Sequence, residues 1–238
     1  MKNQMTFQRY ELKYLLDVRQ LRAVLTAMAP HMVPDEYRHS SIRNLYLDTP
    51  DFRLIRRSLE KPIYKEKLRI RSYGPAAAEA PVFMELKKKY RSVVYKRRIS
   101  LPQSRALACV GGTEPWPDCQ IGAELAYAAE YYGTLRPAVF LSYERESFRG
   151  VEDEAFRVTF DTKIRYRRTE LTLDSDTWGI PILAPGQVLM ELKVAGGIPL
   201  WMTQVLSEQR IFKTSFSKYG TAYQNILLNL RKGEEKYA

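Results

Sequence analysis

Histidine and cysteine are scarce in this 238-residue chain, with two of each. With His31 and His39 the sole imidazoles, a histidine-based catalytic triad has little support. Cys109 and Cys119 flank a Gly-Gly-Thr-Glu-Pro-Trp-Pro loop and lack zinc-ligand spacing. They read as reduced thiols, with a disulfide as the alternative. No apolar run approaches the ~20 residues of a membrane span, and the N-terminal MKNQMTFQRYELKY has no apolar signal core. Also missing are a Walker-type glycine loop, a Gly-x-Ser-x-Gly elbow and a kinase signature. These absences favour a cytoplasmic protein and remove the commonest nucleotide-loop and hydrolase chemistries.

Positive charge is what the chain has in excess: 38 Lys and Arg against 27 Asp and Glu, a net of +11. An imbalance of this size implies an anionic partner, whether nucleic acid, membrane surface or phosphate compound. At 45% hydrophobic and 27% charged residues, the chain is otherwise an ordinary globular one.

The hydrophobic period switches repeatedly between 2 and 3.6. Residues 6–16 alternate as a strand, and Asp17 caps a helix through VRQLRAVLTAM. SIRNLYLDT reads as a strand, and Thr49-Pro50-Asp51 opens a short helix. YKEKLRIRSYG is a strand, and PVFMELKKKY and VVYKRRISL form a hairpin about Arg91-Ser92. Helical patterns at QSRALACV and QIGAELAYAAEYYGTL follow, then strands at AVFLSYERESFRG, EAFRVTFDTKIRYRR, TELTL and QVLMELKVAG. Two amphipathic helices close the chain. The reading is one α+β domain over residues 1–238, built on a mostly antiparallel sheet.

Alternation then sorts each strand into two faces. Leu68 and Ile70 oppose Lys65, Lys67, Arg69 and Arg71; Met84 and Leu86 oppose Glu85, Lys87 and Lys89. Ile99 and Leu101 oppose Lys96 and Arg98, and Phe156, Val158 and Phe160 oppose Arg157, Thr159 and Asp161. Tyr10, Leu12 and Tyr14 oppose Arg9, Glu11 and Lys13, while Val188, Met190 and Leu192 oppose Glu191 and Lys193. A solvated outer face would mix both signs of charge. Cationic faces on strand after strand point instead to a barrel whose apolar faces meet surrounding helices and whose charges line the lumen. Buried cations need counter-charge, so the missing anion is a ligand. Lys65 and Lys67, near their strand's start, either join that lumen or lie at its mouth in water. Arginine forks suit phosphate oxygens. The inward acids Glu11, Glu85 and Glu191 either hold a hard divalent cation that bridges phosphates or form internal salt bridges. Nucleic-acid binding needs an exposed basic surface with accessible aromatics, so no nucleic-acid partner is expected.

The motifs YELKY, KLRIRSYG, MELKKK, SYERESF, FRVTFD, MELK and FSKYG occur in the order found in VTC-type polyphosphate polymerase domains. The chain resembles this family, part of the triphosphate tunnel metalloenzyme (CYTH-like) superfamily, in its stand-alone bacterial form, from about Phe7 to Leu230. The resemblance implies an antiparallel eight-stranded β-barrel tunnel with a basic lumen, surrounded by α-helices. It implies that Lys13, Arg69, Arg71, Lys87, Arg145, Arg157 and Lys218 bind phosphate and that Glu191 binds metal. Arg69, Arg71, Lys87, Arg145 and Arg157 stand nearest the chemistry. Glu11, Lys89, Lys96 and Arg98 fall at further tunnel positions. Lys193 joins the substrate-side cations by periodicity, whereas Asp161 receives no role.

The implied activity is metal-dependent transfer of the γ-phosphate of ATP to a growing inorganic polyphosphate chain, with Mn²⁺ or Mg²⁺. Positioning and charge neutralisation carry such a reaction. The alternatives are a tunnel triphosphatase acting on inorganic or nucleoside triphosphates, and a non-enzymatic polyphosphate-binding module. The sequence carries no reading of oligomeric state.

Overall fold

The computed structural model describes residues 10–91 and 93–234, which fall into two compact units. Arg9, on the first strand by alternation, and Ser92, in the hairpin turn, lie outside the described residues. In chain order the elements are β1 (Tyr10–Leu16), α1 (Val18–Met28), β2 (Met32–Asp48), α2 (Arg53–Leu59), β3 (Tyr64–Tyr73), β4 (Pro81–Tyr90), β5 (Val93–Pro102) and α3 (Gln103–Gly111). There follow α4 (Gln120–Tyr132), β6 (Arg136–Gly150), β7 (Arg157–Arg167), β8 (Ile180–Pro181), β9 (Val188–Val194), α5 (Leu200–Glu208), β10 (Lys213–Thr214) and α6 (Lys218–Glu234). No helix among the described residues is long and apolar enough to cross a membrane.

The fold is α+β, with a large sheet in the hydrogen-bonded order β10-β1-β9-β7-β6-β2-β3-β4-β5 and β8 beside β7. It has ten strands where eight were expected, but β8 and β10 are two-residue bridges, and the long strands number eight. Among the described residues no ladder joins β5 to β10, so the path is open where a closed barrel was expected. Lys96, Arg97 and Arg98 are exposed on β5, and charges of this kind along an edge resist further pairing.

The first unit comprises the described parts of 1–40, 143–164 and 183–216. Its core gathers Tyr14 and Leu16 of β1, Val24 and Met28 of α1, Val158 and Phe160 of β7, Met190 and Leu192 of β9, and Met202 and Val205 of α5. The start of α1 is set locally: Asp17 accepts from the Gln20 backbone at 2.7 Å, and the Gln20 side chain accepts from the Asp17 backbone at 3.1 Å. This reciprocal capping box satisfies two otherwise orphan donors.

The second unit comprises the described parts of 41–142, 165–182 and 217–238. Leu45 and Leu47 of β2, Leu68 and Ile70 of β3, and Met84 and Leu86 of β4 pack there with Ala106 of α3 and Leu125 and Ala128 of α4. The apolar sides of the strands thus bury as alternation requires. The β4–β5 hairpin forms where expected, with Arg91 at φ 51, the left-handed conformation a tight turn needs. Asp48 ends β2 and accepts from the backbone N–H groups of Thr49 and Leu54 at 2.9 Å and Ile55 at 3.1 Å, supplying partners to the open end of α2.

One expected strand does not form. TELTL, residues 169–173, is irregular, although Thr and Leu alternate. Its carbonyls are taken by two buried arginines. Arg167 donates to the carbonyls of Thr169, Glu170, Asp176 and Trp178 at 2.9–3.2 Å, with its guanidinium 3.6 Å from the Phe140 ring centroid. Arg43 donates to the Leu173 carbonyl at 3.0 Å and also to that of Ser175. Two fully formed charged donors outcompete a ladder for these oxygens. Gly179, at φ 145, closes the loop where a Cβ would lie 2.5 Å from the Tyr166 carbonyl oxygen.

Arg167→Met should therefore lower stability by about 3 kcal/mol in denaturant unfolding, because it strands several carbonyls at once. The same change at exposed Arg165 should stay within about 0.5 kcal/mol.

Candidate phosphate and metal site

In the first unit, antiparallel pairing puts charged residues in cross-strand rows. Lys13 of β1 lies opposite Glu191 of β9, which lies opposite Thr159 of β7. Glu11 lies opposite Lys193, which lies opposite Arg157. Directly opposed residues share a face. Lys13 Nζ sits 3.3 Å from Glu11 Oε1 and 3.5 Å from Glu191 Oε1, and donates to the Phe216 carbonyl at 3.1 Å. Arg145 of β6 grips Asp161 with both arms of its fork, Nε to Oδ1 at 2.6 Å and Nη2 to Oδ2 at 2.7 Å. Its Nη2 also donates to Glu191 Oε2 at 3.1 Å, and its guanidinium lies 5.3 Å from the Tyr143 ring centroid.

Burial works against the charge on Arg145, but Tyr143, Asp161 and Glu191 overcome it and raise its pKa well above the ordinary value. Lys193 moves the other way: burial, reinforced by Arg145, lowers it against the pull of Glu191, Glu11 and Asp161. Arg157 stands apart, half-exposed and 3.3 Å from Asp35.

In the second unit the rows run across β2 to β5. Tyr46, Arg69, Glu85 and Arg98 form one row, and Asn44, Arg71, Phe83 and Ser100 the next. On the other side of the arginine row come Lys67, Lys87 and Lys96, then Lys65 and Lys89. Across β3, β4 and β5 this face has one acid, Glu85, among the described residues. The carboxylate is 1% exposed and faces three cations, with Arg69 Nη2 at 2.6 Å, Lys96 Nζ at 2.7 Å and Arg71 Nε at 4.0 Å. Burial alone would raise its pKa; Arg69, Arg71 and Lys96 outweigh that and bring it down to about 2. Lys96 is lowered by burial, with Arg69 and Arg71 adding to the effect and Glu85 opposing it.

Arg71 Nε donates to Asn44 Oδ1 at 2.9 Å, and Arg98 stacks 4.3 Å from the Phe83 ring centroid. Lys65 and Lys67 are half-buried and hydrogen-bonded, to the Ser58 carbonyl at 3.0 Å and to Ser217 Oγ at 2.8 Å, which corrects the picture of lysines loose in water. Lys218, 9% exposed, begins α6 beside that serine. The two thiols serve separately: Cys109 Sγ meets the Pro115 carbonyl at 3.4 Å, and Cys119 Sγ accepts from the Gly122 N–H at the start of α4.

The expected site residues thus fall into two groups. Glu11, Lys13, Arg145, Glu191 and Lys193 gather in the first unit, with Arg157 in the row of Glu11 and Lys193 but turned to Asp35. Arg69, Arg71, Glu85, Lys87, Lys89, Lys96 and Arg98 share the face in the second, and Lys218 lies in that unit. Three participants escape strand-face reasoning. Asp161 is inward by alternation, but only the fold shows that it orients Arg145. Asn44 and Tyr46 are uncharged, so a search for charged faces passes over them; their pairing with Arg71 and Arg69 is the signal.

A family model of the VTC domain matches residues 8–227. The chain belongs to the VTC domain family. No curated protein sequence matches it. Among solved structures, this VTC domain is similar to a candidate adenylyl cyclase from Hippeastrum, described as having a dominant triphosphatase activity. The TM-score is 0.55 at 15% identity, covering 92% of this chain and 96% of that one. It is also similar to a candidate adenylate cyclase from Bacillus halodurans, with TM-score 0.54 at 17% identity over 87% of this chain and 92% of the other. Such likeness establishes a fold shared with these proteins.

This fold family implies a divalent metal, and the donor set tests whether one fits. Among the described residues no group of three or more Asp, Glu, His or Cys stands ready as an all-protein cage. Glu85 suits the role least, since three cations crowd it and its face across β3, β4 and β5 offers no second acid among the described residues. Glu191, though beside Lys13 and Arg145, has Glu11 near it across Lys13. Glu191 suits it better. It lies 5% exposed in the row of Thr159, whose buried hydroxyl has no hydrogen-bond partner among the described residues. One or two carboxylates that leave the remaining positions to water and phosphate are how Mg²⁺-type ions are commonly held. The residues therefore fit a metal shared with substrate, on Glu191 with Glu11 as second carboxylate.

Glu85 generates a pH prediction. Its folded pKa is depressed, so its contribution to stability is complete above the unfolded value of 4.5 and disappears as pH falls towards about 2. Thermal unfolding between pH 6 and 2 should show this decline in the wild type. Glu85→Gln should start from a lower neutral-pH stability and show a flatter profile.

Proposed function

We propose that this VTC domain is a polyphosphate polymerase, transferring the γ-phosphate of ATP to the end of a growing inorganic polyphosphate chain. The observation that carries the reading is the face of Arg69, Arg71, Lys67, Lys87, Lys89, Lys96 and Arg98, which has Glu85 as its one acid among the described residues. Such an excess of cations suits a repeating polyanion better than a single small anion. The family match spans both compact units, which supports treating residues 1–238 as one functional domain.

In this reaction a terminal phosphate oxygen of the chain forms a new bond to the γ-phosphorus, the bond to the β-bridging oxygen breaks, and ADP leaves with that electron pair. The attacking oxygen is already anionic at neutral pH, so no side chain need remove a proton. Arg69 and Arg71 offer guanidinium forks to phosphate oxygens, and Glu85 and Asn44 keep those forks oriented. Arg145, pinned by Asp161, is a rigid cation whose position does not depend on substrate. Lys13, Lys87 and Lys96 add point charges, Lys89, Arg98 and Lys193 extend the basic surface, and Lys218 adds its charge at the start of α6. Arg157 contributes on leaving Asp35 for phosphate. A divalent ion on Glu191 and Glu11, Mn²⁺ or Mg²⁺, neutralises phosphate oxygens when bound. ATP as donor suits a cytoplasmic setting.

A second reading is hydrolysis of triphosphates, favoured by the activity described for the Hippeastrum neighbour. Incubating the purified protein with ATP and Mn²⁺ or Mg²⁺, followed by sizing of the products, separates the two. The polymerase reading expects long, phosphatase-sensitive chains, with Glu191→Ala and Arg69→Ala each reducing the rate at least about 100-fold. Orthophosphate alone establishes the triphosphatase instead. Polyphosphate binding that survives Glu191→Ala, with no turnover under either metal, establishes a binding module.

A further inference from the structure

Tyr46 of β2 stands on the basic face, directly opposite Arg69 in the row that continues to Glu85 and Arg98. The residue is 6% exposed, and its ring is fixed in place. Tyr219, in the first turn of α6, stacks on it with centroids 4.4 Å apart and planes 19° from parallel. The Tyr219 hydroxyl donates to Asp48 Oδ2 at 2.8 Å, and Asp48 is itself completely buried and held by three backbone N–H groups. The phenol therefore has little freedom to turn elsewhere.

The hydroxyl is half used. Its oxygen accepts from Arg69 Nη1 at 3.2 Å, and among the described residues it has no other hydrogen-bond partner. The charged groups acting on it are Arg69, Arg71 and Lys218, none of which accepts a hydrogen bond. A buried O–H donor surrounded by cations calls for an oxygen acceptor from outside the protein, and the neighbouring positive charge favours an anionic one. Burial would raise the phenol pKa, but the same three cations hold it below the ordinary value, which strengthens the donor.

We propose that Tyr46 donates a hydrogen bond to a phosphate oxygen of the substrate beside Arg69, so that the site reads phosphate with a neutral donor as well as with charge. This rests on the phosphate reading of the face. The Tyr219–Asp48 pair is a positioning device for that donor: it fixes the ring and touches no substrate.

Tyr46→Phe keeps the ring and its stacking and removes only the hydroxyl. Binding of inorganic triphosphate is measured by titration calorimetry in chelator-treated buffer, with thermal unfolding of the free proteins as the check on folding. Affinity should fall about tenfold, the scale of one hydrogen bond to a charged group, with the unfolding midpoint of the free protein unchanged. The role could instead be indirect, with Tyr46 merely orienting Arg69, and the Arg69→Ala background separates the two. A direct donor still weakens binding by a similar factor there, whereas an orienting hydroxyl has no further effect. Equal affinity of Tyr46→Phe and wild type, or an effect that vanishes with Arg69, overturns the assignment and leaves the phosphate reading intact. A wild-type protein that does not bind triphosphate overturns both.

Discussion

Like charges held close inside a folded sheet stay there only while something of opposite sign neutralises them, and most of this molecule can be understood from that constraint. The energy of packing comes from the other side of each strand, where Leu68, Ile70, Met84 and Leu86 bury in an apolar core. The polar side is where the arrangement is under tension. In the first unit, Lys13 lies between Glu11 and Glu191, and Arg145 holds Asp161 and Glu191 at 2.6–3.1 Å. In the second, Glu85 is the one acid among the described residues on the face that carries the arginine and lysine rows of β3, β4 and β5. It settles on Arg69, Arg71 and Lys96, while Lys67 and Lys65 donate to the Ser217 hydroxyl and the Ser58 carbonyl.

Much of the fold was readable from residues because the deciding forces are local. The start of α1 follows from Asp17 and Gln20, three positions apart, and the faces of β3, β4 and β5 follow from a period of two that hairpin pairing preserves. What was misread depends on distant partners. Residues 169–173 alternate like a strand, yet the donors that claim this region's carbonyls include Arg43, some 130 positions earlier in the chain. The early half of β2 contains Pro34, Asp35 and Glu36 and shows no alternation; its strand character comes from its place in the sheet.

The site divides the same way. Charged residues on alternating faces announce themselves, and the rows of Arg69 and Arg71 were readable for that reason. Partners that act by orientation do not. Asp161 looks like one more inward acid until the fork of Arg145 closes on both its oxygens, and Asn44 looks like strand filler until it meets Arg71. A search for charge finds the cations themselves, whereas the groups that aim them come from register and side-chain geometry.

The loop held by Arg43 and Arg167 differs chemically from everything on the charged faces. Its acceptors are mainly peptide carbonyls, which neither gain nor lose a proton across any physiological range, and arginine keeps its charge throughout. The pairs around Glu85 instead use a carboxylate, whose charge acid can remove. Acidification therefore acts on the two kinds of contact in sequence: the charged face of β3, β4 and β5 loses the Glu85 counter-ion while this clasp stays shut. The molecule separates what is chemically adjustable from what holds its shape.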